Sequence, residues 1–337
     1  MSWWLFLKQG EQAITVKVGI IGAGYIGGVH ARILAQDERV KLVGIADVLE
    51  TRAKELAMIV GARPFPSAEA LLAAGVDAVY ICTPNTMHLA PVLAALQAGV
   101  HVFSEKPMAT SLAEARQILD ATRSARGLYQ IGHNRRFAQV YKFARQAIAG
   151  GFWPTSAHIK MNRGELKNPP WVSDCTITGG FLYETTVHLL DMARWLLGEV
   201  GEVECRARQS VYDELDDFTM ILSFSDNRYA TFASCAHTTW AFPFESIELY
   251  GDHAQIVTEE MEKVSYSAGL GQEIVRRDYF QLAVPQKWGY AEEDRLFISS
   301  ILAGQPPAVT AEDGYKSIEL VEACYRSARQ GGERIKL

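Results

Sequence analysis

Short apolar runs alternate with segments of helical spacing over residues 16–131. Compact apolar runs predict buried strands, whereas apolar residues three and four positions apart predict helices. The predicted strands cover residues 16–21, 40–46, 77–82, 100–103 and 128–131. The predicted helices cover residues 25–35, 49–60, 86–97 and 112–124. This alternation of strand and helix predicts a parallel sheet with helices on both of its faces.

The pattern changes after about residue 150. Longer strands are predicted over residues 203–211, 218–224, 229–237 and 246–250. Predicted helices cover residues 186–197, 291–302 and 311–328. Consecutive strands joined by short turns favour an antiparallel sheet, so we predict a second domain of the α+β class. The segment 259–287 shows no clear pattern.

The composition is that of an ordinary folded protein. The 337 residues are 48% hydrophobic and 21% charged, which excludes a largely disordered chain. The net charge of −6 disfavours a nucleic-acid-binding surface. No apolar run reaches the roughly 20 residues of a membrane span. Five scattered cysteines without a CxxC pair favour reduced thiols in the cytoplasm over a disulfide framework.

The first 15 residues are predicted to form an extension before the first domain. Their apolar run, from Trp3 to Leu7, is shorter than the apolar core of a signal peptide and follows no basic segment. The alternatives for this run are an interface element, a packed cap and a misassigned start of the chain.

A glycine-rich loop follows the first predicted strand. Its sequence is Gly22-Ala23-Gly24-Tyr25-Ile26-Gly27. This GxGxxG spacing, before a helix predicted to begin at Tyr25, is typical of dinucleotide-binding loops. Gly22 permits the tight turn, Gly24 lets the backbone approach a pyrophosphate, and Gly27 lets the helix pack close to the strand. We expect the phosphates to bind the N–H groups at the start of that helix.

An acidic residue, Asp47, lies about 20 positions after Gly27, at the end of the second predicted strand. Its carboxylate can accept hydrogen bonds from the ribose hydroxyls of adenosine, which favours NAD over NADP. Asp47 also precedes a predicted helix, so N-capping is an alternative role that is compatible with the first. Arg52 is a nearby cation that could tolerate a 2′-phosphate. We therefore expect NAD as the cofactor, with NADP as the alternative.

Further motifs occur in a fixed order along most of the chain. They are the glycine loop extended to His30, Cys82-Thr83-Pro84-Asn85 with His88, Glu105-Lys106-Pro107, Gly132-His133-Asn134-Arg135-Arg136-Phe137, Gly179-Gly180 leading to His188-Leu189-Leu190-Asp191, and a final helix with Gly314, Ala323 and Ser327. With this ordered set, the sequence resembles the Gfo/Idh/MocA family of NAD(P)-dependent oxidoreductases.

The resemblance implies an α/β Rossmann domain followed by an α+β domain with an open, mostly antiparallel sheet. The expected division is an extension over 1–15, a dinucleotide-binding domain over 16–134, a substrate and oligomerisation domain over 135–310, and a C-terminal helix and tail over 311–337 that packs back on the first domain. The outer face of the second sheet often forms a subunit interface in this family. We therefore expect a homodimer or a homotetramer.

Lys106 is the first candidate for the chemistry. Oxidation of a carbinol needs a base for the hydroxyl proton and a group that stabilises the developing alkoxide. Lys106 follows a predicted strand, and the carboxyl ends of parallel strands line the ligand crevice of such folds. A solvated surface lysine is the alternative, because lysines are mostly exposed. The resemblance favours catalysis.

His188 and Glu184 are the second and third candidates. The imidazole of His188 titrates near neutral pH, and four residues separate it from Glu184, so a helix would bring both to one face. The carboxylate could hold the imidazole in one tautomer or contact the substrate. A helix-face histidine bonded to a neighbour is the alternative for His188. The family usually carries Asp at the position of Glu184 and often Gly at that of Thr186.

The remaining candidates surround the cofactor and the substrate. By resemblance, Thr83, Pro84 and Asn85 contact the nicotinamide ribose side together with Glu105, although turn formation also explains Pro and Asn. His88 is a further cofactor candidate, with a helix end as the alternative. The expected substrate-binding residues are Arg135, Arg136, Asn162, Arg163, Trp171 and Tyr183. Forked polar groups suit polyol hydroxyls, and an aromatic face suits the apolar side of a sugar ring.

Two structural alternatives remain open near the substrate. Asp191 could orient His188 from the next turn, or it could be an exposed or capping residue. The loop over 163–174 could be a lid or a plain interdomain connection.

The sequence lacks the motifs of metal sites and of hydrolases with a nucleophilic serine. It has no HxxxH pair, no Cys/His cluster at ligand spacing and no GxSxG sequence. We expect no metal. The sequence predicts an NAD(P)-dependent oxidoreductase that transfers a hydride between nicotinamide and a secondary alcohol or ketone of a sugar, sugar derivative or cyclitol. One alternative is a glycosidase that oxidises its substrate transiently with tightly held NAD. The other is a cofactor-binding sensor or regulator, which the presence of Lys106 and His188 disfavours.

Overall fold

The computed structural model describes residues 15–337. The apolar run from Trp3 to Leu7 lies outside the described residues. Within them, no helix combines the length and the apolar character needed to cross a membrane.

The first domain is a six-stranded, fully parallel sheet covered by helices. Its elements are β1 (Val16–Ile21), α1 (Tyr25–Leu34), β2 (Val40–Ala46), α2 (Glu50–Val60), β3 (Arg63–Phe65), α3 (Ala68–Ala73), β4 (Ala78–Ile81), α4 (Leu89–Gln97), β5 (His101–Glu105), α5 (Leu112–Ser124) and β6 (Tyr129–Gly132). The strand order β3-β2-β1-β4-β5-β6 is that of dinucleotide-binding folds, which confirms the predicted Rossmann domain. Sequence analysis missed β3 and α3, because each is too short to show a period.

The second domain contains a nine-stranded sheet. Its elements begin with α6 (Gln139–Ala149), β7 (Ser156–Gly164), α7 (Cys175–Thr178), α8 (Val187–Leu197), β8 (Val200–Gln209), β9 (Leu215–Phe224) and β10 (Tyr229–Thr238). They continue with β11 (Glu245–Gly251), β12 (Ala254–Glu259), β13 (Lys263–Ser267), β14 (Ile274–Asp278), α9 (Val284–Lys287), α10 (Tyr290–Ala303), α11 (Ala311–Arg329) and β15 (Ile335–Lys336).

The strand order of this sheet is β14-β13-β12-β11-β7-β10-β9-β8-β15. Only β7 and β10 pair in parallel, so the sheet is open and mostly antiparallel, as expected. The central strand β7 escaped sequence analysis. It buries apolar residues such as Ile159 on one face and carries polar residues such as Lys160 on the other, and so shows no continuous apolar run.

The helices near the C-terminus connect the two domains. Helix α11 packs on α5 and β6 of the first domain and on β8 of the second, and β15 after it joins the edge of the second sheet. The helix and tail over residues 311–337, predicted to pack back on the first domain, therefore contact both domains. Helix α10 packs on α1, and its Phe297 and Ile298 share a buried cluster with Val18 and Ile20 of β1. The domain boundaries in sequence remain a prediction.

A buried ionic cluster lies between the domains. Arg136 donates two hydrogen bonds to Asp191, at 2.8 and 2.7 Å, and one to Asp313 at 3.0 Å. Burial by itself raises the pKa of Asp191, but Arg136, His133 and Arg194 outweigh it and hold that pKa well below its usual range. Buried charges of this kind stay ionised only when they are paired. Asp191 is thus committed to arginines, and the expectation that it orients His188 is wrong.

His133 is buried beside this cluster, and neither ring nitrogen has a hydrogen-bond partner within residues 15–337. Burial lowers its pKa from 6.5 to about 4, although the Asp191 carboxylate lies 3.7 Å away. The unfolded chain therefore binds one proton more than the native protein between these two pH values.

We expect this difference to reduce stability in acid. Because the native pKa is depressed, the contribution of His133 is complete above pH 6.5 and is lost as the pH falls towards about 4. The loss approaches about 1.4 kcal/mol per pH unit for one group. Urea unfolding of the wild type and of His133→Asn at pH 7 and 5 measures the difference, because all other groups cancel. Equal pH slopes for the two proteins would contradict the prediction.

Candidate active site

A groove of about 1260 Å³ follows the carboxyl edge of the parallel sheet, where folds of this class bind ligands. It exceeds the volume of roughly 300–1,000 Å³ that holds a drug-sized molecule, and it therefore has room for a dinucleotide. Many of the predicted residues line it, namely Gly22, Gly24, Tyr25, Ile26, Asp47, Arg52, Thr83, Pro84, Asn85, Glu105, Lys106, Trp171 and Glu184.

The glycine loop has the geometry of a phosphate-binding turn. Gly22 adopts a φ of +102°, and a Cβ there would lie 2.5 Å from the carbonyl oxygen of Cys82. A Cβ on Gly27 would lie 2.0 Å from the carbonyl oxygen of Gly22, so only glycine lets α1 pack this closely. Above Gly24, at the start of α1, no atom lies within 4 Å of a Cβ position. The free N–H groups of α1 therefore have space beside them for a pyrophosphate.

Asp47 closes the adenosine end of the groove. Its Oδ2 accepts a hydrogen bond from the N–H of Ala23 at 2.7 Å, and its Oδ1 accepts one from the N–H of Leu49 at 2.8 Å. Each oxygen retains capacity for another donor, such as a ribose hydroxyl. The same carboxylate thus connects the glycine loop to the start of α2. Arg52 lines the groove nearby.

We expect Asp47→Asn to reduce the preference for NAD over NADP. The aspartate repels a 2′-phosphate, and two charges about 4 Å apart near a protein surface interact by several kcal/mol. We expect a shift of about tenfold or more in the ratio of kcat/KM values for the two cofactors. Glu38→Gln makes the same change of charge outside the groove and serves as the control. An unchanged ratio in Asp47→Asn would remove Asp47 from cofactor selection.

Lys106, Glu184 and Asn85 form a hydrogen-bonded cluster at the opposite end of the groove. The Lys106 ammonium donates to the backbone oxygen of Glu184 at 2.9 Å and lies 3.7 Å from its carboxylate. The Asn85 amide donates to the other carboxylate oxygen at 2.7 Å and to the backbone oxygen of Thr178 at 2.9 Å. A cation, a carboxylate and an amide therefore converge at one place in the groove.

Helix α8 and the turn before it carry the other members of the site. Residues Leu182–Thr186 form a π-helical turn, a local feature that is frequent at functional sites. His188 follows in α8 and is almost fully buried, and its Nδ1 has no hydrogen-bond partner in the described part of the chain. Burial, followed by the charges of Arg135 and Lys106, lowers the pKa of His188 well below its usual value. The imidazole is therefore neutral at physiological pH.

Two predicted contacts differ from the structure. Glu184 does not hold the imidazole of His188, because its carboxylate is engaged by Asn85 and Lys106. His88 is fully buried outside the groove, with Nε2 2.9 Å from the backbone oxygen of Thr83 and Nδ1 2.7 Å from that of Pro107. It joins two loops of the groove and does not face the cofactor.

The predicted arginines are also engaged internally. Arg135 donates to the fully buried Glu245 carboxylate at 3.0 and 2.8 Å. Arg136 is held by Asp191 and Asp313, as described above. The hydroxyl of Tyr183 donates to Glu322 on α11 at 2.7 Å. These contacts correct the assignment of Arg135, Arg136 and Tyr183 to the substrate, because each polar group already has a buried or interdomain partner.

Neighbouring residues of β7 lie on opposite faces of the sheet. Arg163 points inwards and donates to Thr185 and to the Tyr212 hydroxyl, both at 3.0 Å. Asn162 belongs to the outer face, away from Lys106, because side chains alternate along a strand. The position of Asn162 on the outer face disfavours its assignment to the substrate. Arg163 keeps one guanidinium nitrogen without a hydrogen-bond partner among the described residues, so its assignment to the substrate stays a prediction. Trp171 does line the groove that Lys106 also lines, in the loop for which a lid and a plain interdomain connection remain the alternatives.

The outer face also contains a group that spacing did not reveal. Asp217, Cys235 and His237 lie with one ligand atom each within 4.8 Å of one another. Asp217 and Cys235 come from the paired strands β9 and β10, so their separation in sequence hides their proximity. Arg208 donates to Asp217 at 2.6 Å and neutralises it. Spacing along the sequence therefore does not reveal this group, and the expectation of no metal stays a prediction.

With phosphate-binding geometry at one end and a lysine paired with a carboxylate at the other, this groove is typical of a nicotinamide-dependent oxidoreductase. Comparison with known proteins defines the class further. Residues 16–133 match the GFO_IDH_MocA model, an oxidoreductase family with an NAD-binding Rossmann fold. Residues 154–337 match the model of the C-terminal alpha/beta domain of that oxidoreductase family.

Curated relatives and solved structures agree with these matches. The myo-inositol 2-dehydrogenase of Thermotoga maritima is 28% identical over 94% of this chain and 97% of its own. The inositol 2-dehydrogenase of Rhizobium meliloti is 29% identical over 94% of this chain and 98% of its own. GenD2 from gentamicin A biosynthesis, in complex with NAD, has a TM-score of 0.83 and 25% identity, covering 98% of this chain and 99% of GenD2.

The chain belongs to the Gfo/Idh/MocA oxidoreductase family. It is an NAD-dependent oxidoreductase that acts on CH–OH groups, which confirms the predicted fold class, enzyme class and cofactor.

Proposed function

We propose that this enzyme oxidises one secondary hydroxyl of an inositol ring, with NAD⁺ as the oxidant. The observation that carries the proposal is the cluster of Lys106, Glu184 and Asn85 next to a neutral, buried His188. The inositol 2-dehydrogenases among its relatives cover nearly the whole chain and identify a cyclitol as the substrate class.

The cofactor is held, on this proposal, by three parts of the groove. The N–H groups at the start of α1 bind the pyrophosphate, Asp47 binds the adenosine ribose, and residues 83–85 contact the nicotinamide ribose. When bound, the nicotinamide accepts the hydride that leaves the carbinol carbon.

On this proposal, side chains of the protein accept the hydroxyl proton of the substrate and stabilise the negative charge on its oxygen. The neutral imidazole of His188 can accept the hydroxyl proton, since burial and two nearby cations keep it unprotonated. The Lys106 ammonium stabilises the negative charge that develops on the substrate oxygen. Glu184 fixes the lysine, and Asn85 holds the Glu184 carboxylate. The Glu184 carboxylate and the side-chain oxygen of Asn85 can accept hydrogen bonds from the neighbouring ring hydroxyls. Trp171 supplies an apolar face at the entrance.

A substrate panel tests the proposal directly. The enzyme is incubated with myo-inositol, scyllo-inositol, hexoses and nucleotide sugars, each with NAD and with NADP, and reduced nicotinamide is followed by absorbance. We expect the highest kcat/KM with an inositol and NAD, together with a keto product. Release of a free sugar without accumulation of NADH would instead indicate a glycosidase. No reduction of the cofactor with any inositol would overturn the proposal.

We also propose a homodimer or homotetramer built through the outer face of the nine-stranded sheet. Apolar side chains on this face are exposed, with Ile221 43% and Tyr229 51% accessible. Sedimentation velocity measures the assembly. The five cysteines are free thiols, which supports the proposed location in the reducing cytoplasm.

A further inference from the structure

His30 belongs to the extended glycine motif, yet it takes no part in the roles described above. Its side chain is fully buried inside the first domain. Nδ1 lies 2.8 and 2.9 Å from the two carboxylate oxygens of Asp294 on α10, and Nε2 lies 3.0 Å from Oε1 of Glu105 at the end of β5. Both ring nitrogens therefore face carboxylates.

This arrangement requires a charged imidazole. Carboxylates only accept hydrogen bonds, and a neutral imidazole has a single N–H to donate, so both contacts are satisfied only by the imidazolium. Burial alone lowers the pKa of His30, but Asp294 and Glu105 outweigh it and raise that pKa well above its usual value. The rings of Tyr80, Phe103 and Tyr290 surround the cation, with centroids 5.3, 5.0 and 5.8 Å away. Such rings favour a desolvated cation.

Glu105 connects this buried ion pair to the candidate lysine. While Oε1 is bound by His30, Oε2 accepts the backbone N–H of the next residue, Lys106, at 3.2 Å. Burial raises the pKa of Glu105, but His30 and then Lys106 lower it below the usual value, so the carboxyl group is ionised. The carboxylate thus fixes the start of the loop from which Lys106 reaches Glu184.

We propose that His30 is a positioning residue for catalysis: held by Asp294, its imidazolium fixes the Glu105 carboxylate, which in turn holds the backbone of Lys106 and aims its ammonium at the reacting oxygen. This inference rests on the function proposed for Lys106. It assigns a role to α10 as well, because that helix carries Asp294 across to the first domain.

One other buried acid faces the same network. Glu293 is fully buried, and neither of its carboxylate oxygens has a hydrogen-bond partner among the described residues. Burial and the charge of Glu105 raise its pKa well above the usual value, so it is protonated and adds no second anion next to Asp294. The His30 imidazolium therefore pairs with two carboxylates, those of Asp294 and Glu105, and Glu293 contributes no negative charge.

Two measurements on His30→Gln test the proposal. Glutamine keeps a polar side chain but carries no charge, and it offers one donor nitrogen in place of the two ring nitrogens that face Asp294 and Glu105. We expect kcat to fall about 10- to 100-fold with the NAD dissociation constant within threefold of the wild type. We also expect the amide of Lys106 to exchange hydrogen at least tenfold faster, measured by mass spectrometry, while peptides from α5 stay unchanged. His101→Gln, at the other end of β5, is the matched control.

A double mutant separates positioning from a general structural effect. Because His30 acts through Glu105, adding His30→Gln to Glu105→Gln should reduce kcat by less than threefold further. Full additivity, unchanged exchange at Lys106, or a uniform rise in exchange along the chain would each overturn the proposal.

Asp294→Asn removes the charge that keeps His30 protonated, and it replaces His30→Gln if that variant does not fold. If the wild type oxidises no inositol, the proposed function fails, and the exchange measurement still decides the role of His30.

Discussion

Lys106→Met is expected to lower kcat for inositol oxidation by about 10³-fold. Methionine has a similar length and volume but no charge, so the developing alkoxide loses its cationic partner. Removing one such donor from an active site typically costs about 10²–10³ in kcat. Lys106 is largely buried, with 14% of its side chain accessible, so water replaces the ammonium poorly. Steady-state kinetics with NAD and the best inositol of the panel measure the effect.

Binding and folding controls accompany this variant. The dissociation constant for NAD and the melting temperature should stay near those of the wild type, because the groove around α1 is unaffected. Lys167→Met removes an exposed lysine of the adjacent loop, 75% of whose side chain is accessible, and should leave kcat unchanged. Wild-type turnover in Lys106→Met would reject the assignment of the lysine.

His188→Ala is expected to lower kcat by about 10²–10⁴-fold, the usual contribution of a general base. The pH profile of the wild type gives a second readout. A base must be unprotonated, so kcat/KM stays constant at higher pH and falls as the pH decreases through the lowered pKa of His188. We therefore expect the acid limb below about pH 6.5, the unperturbed value. The variant should lack this limb, and added imidazole should restore part of its activity.

The matched control for this change is His237→Ala on the outer face of the sheet. That histidine is exposed and lies away from the groove, so its removal should alter neither kcat nor the acid limb. An acid limb that persists unchanged in His188→Ala would show that another group accepts the proton.

Local patterns predicted the first domain well. The bounds of β1 and β2 agree with the prediction at both ends, because each is a largely apolar run, interrupted by one lysine, that ends at a glycine loop or an aspartate. The short β3 and α3 could not be found, since three and six residues show no period. In the second domain β7 was missed because one of its faces is polar. Strands β13 and β14, at and next to one edge of the sheet, were missed because they have few buried residues.

Sequence placed some residues of the candidate site in the groove, and it could not place others. The glycine loop, Asp47, Lys106 and Glu184 all reach the groove, since each follows or begins a regular element whose end the fold places there. The substrate role of Arg135 and Arg136 could not be judged from sequence. Their carboxylate partners lie 110 and 55 residues further along the chain, and no local pattern reveals such a pairing.

The sequence by itself determined the cofactor-binding half of this protein and pointed to the residues that we propose as its reactive groups. A GxGxxG turn, an acidic residue after the next strand and a lysine after β5 are local signals, because strand ends and helix starts fix where their side chains go. Only the tertiary structure decided which polar groups remain available. A buried charge is stable only when it is paired, and here the partners come from distant segments of the chain. Glu245 pairs with Arg135, Asp191 with Arg136, and Asp294 with His30.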